Sequence, residues 1–456
     1  LTKLVERLLP PELLRIIASD IPIWLVGGAV RDHFLNRRHP DLDFAVAGEA
    51  RKLARTVADL LGGVYFSLDD ERDAGRVILT PGARTLDFVR LRGSSIEDDL
   101  RDRDFTINAL ALPVNGPEQL IDDLGGLQDL KHKRLRACGS ESIARDPVRA
   151  LRGVRLAAQL KLRIEPQTQT QIRRAAQMLA TVSVERLRDE FSRMLEPDLA
   201  PSAVRLLYEL GSLEALIPEL RHAPNGSELA FATVDRLKQL LSALSAADEA
   251  QNLTMAELAM RLSKFREQLK LHLDRPLSGG RRAAQMLVLA GLLGRLPGEV
   301  TRRRMRSLRY SRKEARRVRR IIRSESEFHA LRGAGSPSAV EAYRYFRGSG
   351  DAGVEAVLLA LAIFLARHAG PPDQEAWSQR VDNALSLLET WFEDRAEILR
   401  PPVLVRGDEL AVELKLEAGP VVGELLEHLK EAQVAGTVST RDQALKLARQ
   451  LHAQRQ

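Results

Sequence analysis

The sequence predicts an α+β chain, a small mixed β-sheet head followed by an elongated all-α remainder. Three observations carry that prediction. Short apolar runs bounded by turn residues crowd the first 137 positions and largely vanish after about Ser140. Beyond that point apolar residues recur with the 3.6-residue period of amphipathic helices. At 456 residues, the chain is long enough for roughly two to four domains.

The elements follow in order. Ile23-Trp24-Leu25-Val26 reads as a buried strand closed by the turn Gly27-Gly28, with a helical stretch at 30–35. A second strand covers 42–46. A helix over 50–61 stops at Gly62-Gly63, a C-terminal cap. Strands at 64–66, 76–79 and 85–89 complete one sheet. Helical segments then cover 148–160, 168–180, 184–195 and 202–216. Breaks fall at Pro166, Pro197-Asp198, Pro218, Pro224-Asn225-Gly226, Leu277-Ser278-Gly279-Gly280, 333–337 and Gly370-Pro371-Pro372. No fixed-period repeat is present, which excludes a solenoid.

Hydrophobic residues at 44% and charged residues at 29% fit a soluble globular chain. Aromatics make up only 4%, so stacking platforms for single strands are not obvious. Lys and Arg number 69 against 62 acids, a net +7 whose distribution matters more than its total. The single cysteine, Cys138, excludes a disulfide framework or a thiolate metal site within the chain, and a cytoplasmic location is expected. No apolar run approaches 18 residues, so no membrane span is expected. The start, Leu1-Thr2-Lys3, lacks a secretory pattern, and the missing Met suggests trimming.

The chemistry concentrates in Gly27-Gly28-Ala29-Val30-Arg31-Asp32 followed by Asp41-Leu42-Asp43. Glycines between a strand and a helix let backbone N–H groups approach a triphosphate, and a helix N-terminus adds favourable charge. Asp41 and Asp43 stand two apart on a strand, so both carboxylates project from one face. Two acids so placed repel unless a cation joins them, and hard oxygens suit Mg²⁺. Asp87, on a neighbouring strand, offers a third carboxylate for a two-metal site.

GGAVRD followed by DLDFAV resembles the class II tRNA nucleotidyltransferases and bacterial poly(A) polymerases, within the superfamily that includes DNA polymerase β. The resemblance implies a nucleotidyltransferase head over 1–137, a nucleotide-reading neck over 138–196, an RNA-binding body over 197–330 and a tRNA-binding tail over 331–456. It implies catalysis by Asp41, Asp43 and Asp87, with Mg²⁺ on Asp41 and Asp43 and the triphosphate at Gly27, Gly28 and Arg31. Residues 101–110 resemble the family run RRDFTINAL and assign nucleotide contacts to Arg103, Asp104 and Asn108. Asp102 departs from the pattern, standing where the family has its first Arg.

Asp122-Asp123-Leu124-Gly125-Gly126 resembles a closing turn of structural role. Arg145-Asp146-Pro147-Val148-Arg149 resembles the nucleotide-reading motif, with Arg145 where many members carry Glu. There a carboxylate accepts from the exocyclic amine of cytosine or adenine, and a guanidinium donates to the adjacent acceptor. Asp146 and Arg149 are therefore expected to face one pocket, with Arg152 and Arg155 contacting nucleotide from the same helix. Residues 182–191 resemble E-R-[IL]-x-x-E-F, whose Glu185, Arg186 and Glu190 brace that helix or meet the primer.

Residues 302–323 hold twelve Lys or Arg against one acid, Glu314. On a helix near the substrate path these would bind phosphates without reading bases, with Arg302, Arg303, Arg304, Arg306, Arg309 and Arg312 as expected contacts and Arg261, Lys264 and Arg266 extending the track. The stretch 401–445 resembles the tail of bacterial CCA-adding enzymes. The expected partners are the tRNA 3′ end, CTP and ATP, with no membrane. Within the family, CCA, CC-only, A-only and poly(A) addition stay open. The short segment 88–96 resembles the CC-adding branch, and a non-catalytic RNA-binding protein is the rival from another class.

Overall fold

The computed structural model describes residues 5, 9, 11–17, 21–37, 41–79, 84–115, 119–222, 227–245, 253–277, 279–331, 336–368, 370, 372–417 and 419–454. The expected breaks at Pro224-Asn225-Gly226, Ser278, 333–335 and Pro371 lie outside them. The chain forms two compact units, residues 1–190 with 206–215, and residues 191–205 with 216–456.

In the first unit, α1 (Pro11–Ile17) precedes β1 (Ile23–Val26), α2 (Gly28–Phe34), β2 (Asp41–Val46), α3 (Ala50–Leu61), β3 (Val64–Asp69), β4 (Ala74–Leu79), β5 (Arg84–Arg90), α4 (Ile96–Arg101) and β6 (Ala111–Pro113). The six strands form one mixed sheet in the order β3-β4-β5-β2-β1-β6, with β2 and β5 parallel and every other pair antiparallel. Successive side chains alternate between the two faces of a strand. One face takes α3, which buries Ala50, Ala54, Val57 and Ala58. Phe44 and Phe88 stack in the core with ring centroids 4.8 Å apart. Close approach of α3 requires Gly75, where a Cβ would lie 2.9 Å from Ala54 Cβ. Gly62 ends α3 at φ 66°, the left-handed cap its sequence suggests.

The chain continues through α5 (Gly126–Lys131), β7 (Arg134–Leu135), α6 (Val148–Leu160), β8 (Arg163–Ile164), α7 (Pro166–Ala176) and α8 (Val184–Met194). The Asp122 carboxylate caps α5, accepting from Gly126 N at 2.6 Å and Leu127 N at 3.1 Å. Phe105, fully buried, holds α6 where Gly153 leaves room; a Cβ there would sit 2.7 Å from Phe105 Cζ. Two expected helices differ. The 168–180 segment ends as helix at Ala176 and finishes in a 3₁₀ turn, Leu179–Thr181. The 202–216 segment is two helices, α9 (Ala200–Glu209) and α10 (Ser212–Leu216), because Gly211 takes φ 75° between them.

The second unit carries α11 (Glu228–Ser245), α12 (Leu253–Arg261), α13 (Arg266–Asp274), α14 (Ala283–Leu293), α15 (Gly298–Ser307), α16 (Arg312–Ala330), α17 (Ala339–Ser349), α18 (Ala352–Ala366), α19 (Gln374–Phe392), α20 (Gly407–Leu414), α21 (Pro420–Val434) and α22 (Arg441–Ala453). At its centre α18 is buried from Ala352 through Leu365 and packs on α11, α14, α16 and α19. Its one acid, Glu355, accepts from Arg317 Nε at 2.8 Å and meets His272 Nε2 at 2.9 Å. The last three helices enclose a separate core built on Leu410, Leu425 and Ala448. The basic run is not one helix. It is split between α15 and α16 at 308–311, where Arg309 takes φ 54° and Ser311 caps α16 in a capping box with Glu314. Among the described residues no single helix is long and apolar enough to cross a membrane.

Two stability predictions follow from these contacts. A Cβ at Gly126 would meet the Thr106 carbonyl oxygen at 2.2 Å, and backbone yields little. Gly126→Ala should therefore cost about 1–3 kcal/mol, read as a lower urea midpoint. Burial would raise the carboxyl pKa of Glu355, but His272 and Arg317 hold it below the usual range. Its stabilisation is thus full above the unfolded value of about 4.3 and is lost as pH falls through the folded value. Glu355→Gln should lose about 3–5 kcal/mol at pH 7 and show a shallower stability decline on acidification than the wild type.

Candidate active site

Cross-strand register sets out the open face of the sheet, opposite α3. Val26 pairs with Asp43, Asp43 with Asp87, Asp87 with Arg76, and Arg76 with Phe66. Paired residues project to the same face, so these side chains form one row. Asp41, two residues before Asp43, joins the same face and is exposed. The turn after β1 enters this row from the side. Gly27 adopts φ 75°, and a Cβ there would lie 3.4 Å from both Asp43 Oδ2 and Arg103 Nη1. The left-handed φ is what favours glycine here, and its backbone lies between a carboxylate and a guanidinium. Gly28 then starts α2.

Asp87 has a partner the sequence does not foretell. Arg76 Nε donates to its Oδ1 and Arg76 Nη2 to its Oδ2, both at 2.7 Å. The hydrogen bond to Asp87 is the largest cause holding the Arg76 pKa above its ordinary value, and the charges of Asp41 and Asp43 add to it. Among the described residues no group of three or more His, Cys, Asp or Glu side chains is gathered to hold a metal. The expected third ligand is therefore beside the pair but clasped by Arg76. Asp41 and Asp43 supply hard oxygens on the open face, a donor set that fits a magnesium ion also bound by phosphates.

Behind this face runs a continuous polar chain. Arg31 is buried, donating from Nε to Asp32 Oδ1 at 2.8 Å and from Nη1 to Asn108 Oδ1 at 2.6 Å. Asn108 Nδ2 donates to Asp104 Oδ1 at 3.0 Å, and Arg152 Nη1 donates to Asp104 Oδ2 at 3.2 Å. Arg152 and Arg155 meet Glu190 at 3.5 and 2.8 Å. Burial would raise the Asp104 carboxyl; the Arg152 charge and the donors Asn108 and Phe105 N–H hold it below the usual carboxylate range. Burial would also lower the Arg152 pKa, yet Asp104 and Glu190 keep it raised. Arg31, expected at the triphosphate, is thus committed to orienting Asn108. Glu190 braces α6, as its motif suggests.

The remaining expected contacts divide. Arg103 is held by Asp99 through Nε at 2.9 Å and Nη2 at 2.8 Å. An i,i+4 spacing between Asp99 and Arg103 was the available sequence signal. Asp146 and Arg149 do not pair with each other. Asp146 Oδ2 accepts from Arg186 Nη2 at 2.7 Å. Arg149 donates to the carbonyls of Ser142, Arg103 and Asp102 at 2.9, 3.2 and 2.9 Å, and burial pushes its pKa down. The two departures from the family pattern meet each other: Arg145 Nη1 donates to Asp102 Oδ1 at 2.9 Å.

Of the expected RNA contacts, Arg303, Arg306, Arg309 and Arg312 are exposed. Arg302 is exposed and pairs with Glu299 at 2.6 Å. Arg304 is turned inward, with Glu219 accepting from its Nε and Nη2 at 2.9 and 2.7 Å. Two of the three residues expected to extend the track are likewise occupied. Arg261 pairs with Asp382, and Lys264 with Glu389 at 2.7 Å.

Comparison with known proteins places this geometry. The family model "Poly A polymerase head domain" matches residues 23–95 and 82–136. "Probable RNA and SrmB-binding site of polymerase A" matches 161–223, and tRNA nucleotidyltransferase domain 2 matches 284–448. The CC-adding tRNA nucleotidyltransferase of Geobacter sulfurreducens is 32% identical over 92% of this chain and 90% of its own length. The A-adding tRNA nucleotidyltransferase of Deinococcus radiodurans is 32% identical over 92% of this chain and 93% of its own. The fold matches that of the Thermotoga maritima CCA-adding enzyme complexed with tRNA, with TM-score 0.63, 22% identity, and coverage of 98% of this chain and 97% of that one. Together with the carboxylate pair and the open Gly27 turn, these matches show that the chain belongs to the tRNA nucleotidyltransferase and poly(A) polymerase family.

Proposed function

We propose that this chain is a template-independent tRNA nucleotidyltransferase. It adds C and/or A residues from CTP and ATP to the tRNA 3′ end and releases pyrophosphate. The observation that carries this reading is the Gly27 turn, open between Asp43 and Arg103. A triphosphate laid on that turn meets backbone N–H groups and a guanidinium on one side and the carboxylate pair on the other.

Asp41 and Asp43 would hold Mg²⁺, which when bound lowers the pKa of a 3′-hydroxyl and neutralises charge on the departing pyrophosphate. The chain's own residues do the positioning. Gly27 and Gly28 seat the phosphates, and Asp99 fixes the angle of Arg103 toward them. Asp104 and Asn108, locked by Arg31 and Arg152, present a fixed polar edge to the ribose. Asp146 accepts from the exocyclic amine of cytosine or adenine, and Arg149 donates to the neighbouring acceptor. In the free protein those two groups are engaged with Arg186 and with backbone carbonyls. An entering base therefore exchanges partners with them, and a base lacking that amine offers Asp146 nothing in place of Arg186.

CC addition is the second reading, favoured by the connection between β5 and α4. Only residues 91–95 join the two elements, and they are tied down. Arg92 N donates to Asp99 Oδ1 at 3.2 Å, and Ser94 donates from N and Oγ to Asp98 Oδ2 at 3.2 and 2.8 Å. Such a segment has little length with which to reshape the pocket between C and A.

Two measurements test these readings. Asp43→Ala should abolish nucleotide addition while leaving the Kd for a tRNA transcript within about two-fold, since the carboxylate supplies no RNA affinity. Addition at wild-type speed by that variant would end the polymerase reading. Separately, transcripts ending before CCA, after one C and after CC are incubated with Mg²⁺ and with CTP, ATP or both, and sized on a gel. Two C residues on the first with none on the third marks CC addition; completion to CCA removes the argument from the short connection; a long A ladder on any RNA marks a poly(A) polymerase.

A further inference from the structure

In the helical unit, α15 and α16 flank a cavity of about 430 Å³, a size that suits a small ligand. Its wall includes Gly298 and Thr301 from α15, with Arg316, Arg319, Arg320 and Arg323 from α16. Positions 316, 319, 320 and 323 follow the i, i+3 and i+4 spacing of helix neighbours, so these guanidiniums crowd one place. Like charges so placed repel unless an anion joins them.

The nearby acids are already engaged. Glu327 accepts from Arg323 Nε at 2.8 Å, and Glu299 from Arg302 Nη2 at 2.6 Å. That bond, with the charges of Arg302, Arg303 and Arg319, holds the Glu299 carboxyl below the usual carboxylate range, so one acid answers several cations. Arg316 and Arg320 also border the neighbouring cleft. There Asp351 is taken by Arg275 and Arg317, and Glu314 by Arg281. Among the described residues no carboxylate pairs with Arg316, Arg319 or Arg320, and all three are exposed.

The α15 side of the cavity offers donors. Thr301 is fully buried, and its hydroxyl has no hydrogen-bond partner among the described residues. An unpaired buried hydroxyl is costly, and one in a cavity wall beside guanidiniums is a donor waiting for an acceptor. Gly298 opens α15, and no atom lies within 4 Å of where its Cβ would stand. The start of that helix is therefore uncovered, with the favourable field a helix N-terminus gives an anion.

We propose that this cavity binds a phosphate anhydride, the diphosphate or triphosphate group of pyrophosphate or of a nucleotide. Such a group carries several charges within the span of one helical turn and answers Arg316, Arg319 and Arg320 together. A nucleic-acid backbone brings one charge per phosphate and spreads them along a strand. Thr301 Oγ1 donates to one phosphate oxygen. None of these residues belongs to the carboxylate site, and the assignment stands whether or not the chain transfers nucleotides.

Calorimetric titration of the full chain with sodium pyrophosphate in EDTA tests it. Arg319→Gln/Arg320→Gln, a pair of exposed substitutions, should weaken pyrophosphate binding at least about ten-fold. Thr301→Val should weaken it about five-fold while raising the urea midpoint, since it removes an unpaired hydroxyl. CTP titrated in the same way separates the sources: a parallel loss in the double variant marks a nucleotide as the ligand, and no loss marks the free anhydride. Pyrophosphate affinity unchanged in the double variant, or no pyrophosphate binding by the wild type, overturns the proposal. So does a double variant that holds pyrophosphate normally but binds a tRNA transcript about ten-fold more weakly, which makes the cavity part of an RNA surface.

Discussion

The arrangement of the head depends on one buried carboxylate. Asp104 sits in low dielectric, where an isolated charge is costly, and it persists as an anion because Arg152, Asn108 and a backbone N–H all point at it. The Phe105 N–H and Asn108 belong to its own turn, and Arg152 comes from α6. Asn108 reaches on through Arg31 to Asp32 on α2, and Arg152 reaches on to Glu190 on α8. Removing any link strands a buried polar group, so the chain fixes α2, the 104–108 turn, α6 and α8 relative to one another more tightly than apolar packing alone. The 104–108 turn is thereby held in one arrangement against α2 and α6.

Charge pairing also decides what the sheet offers to solvent. The parallel pairing of β2 and β5 lays Asp87 beside Asp43, and without Arg76 three carboxylates would crowd one face. The clasp pairs one of the three acids with a guanidinium that is itself partly exposed. Charge pairing also joins Asp102 to Arg145, a link between residues 101–110 and the approach to α6. It also thins the basic track on the helical unit, since Arg304, Arg261 and Lys264 satisfy nearby acids. A run of arginines in sequence is thus a poor measure of the positive surface presented.

The helical unit has its own constraint. Its central helix, α18, is apolar on every side except for Glu355, which is answered by His272 from α13 and Arg317 from α16. Those two bonds set the rotation of three helices about one point, a registration that leucine and alanine packing alone would leave loose. Its final three helices close on a small core of their own and attach to α17 by polar links, among them Tyr343 to Glu427 at 3.0 Å and Arg344 to Glu431 at 2.6 and 2.8 Å.

The sequence by itself determined β1 to β5, though not the short β6, β7 and β8, together with the helix over 50–61 with its glycine cap and the carboxylate pair at Asp41 and Asp43. These rest on period, turn chemistry and spacing, all local properties of a chain. It also ordered the motifs that the family shares. Only the tertiary structure decided which charged groups meet. Arg76 and Asp87 are eleven residues apart, Arg31 and Asn108 seventy-seven, Arg145 and Asp102 forty-three. No periodicity encodes such pairings, because they follow from strand order and helix placement. The split of the 202–216 segment at Gly211, and of the basic run at Arg309, was hidden for a related reason: a single left-handed residue redirects a helix without altering its apolar period.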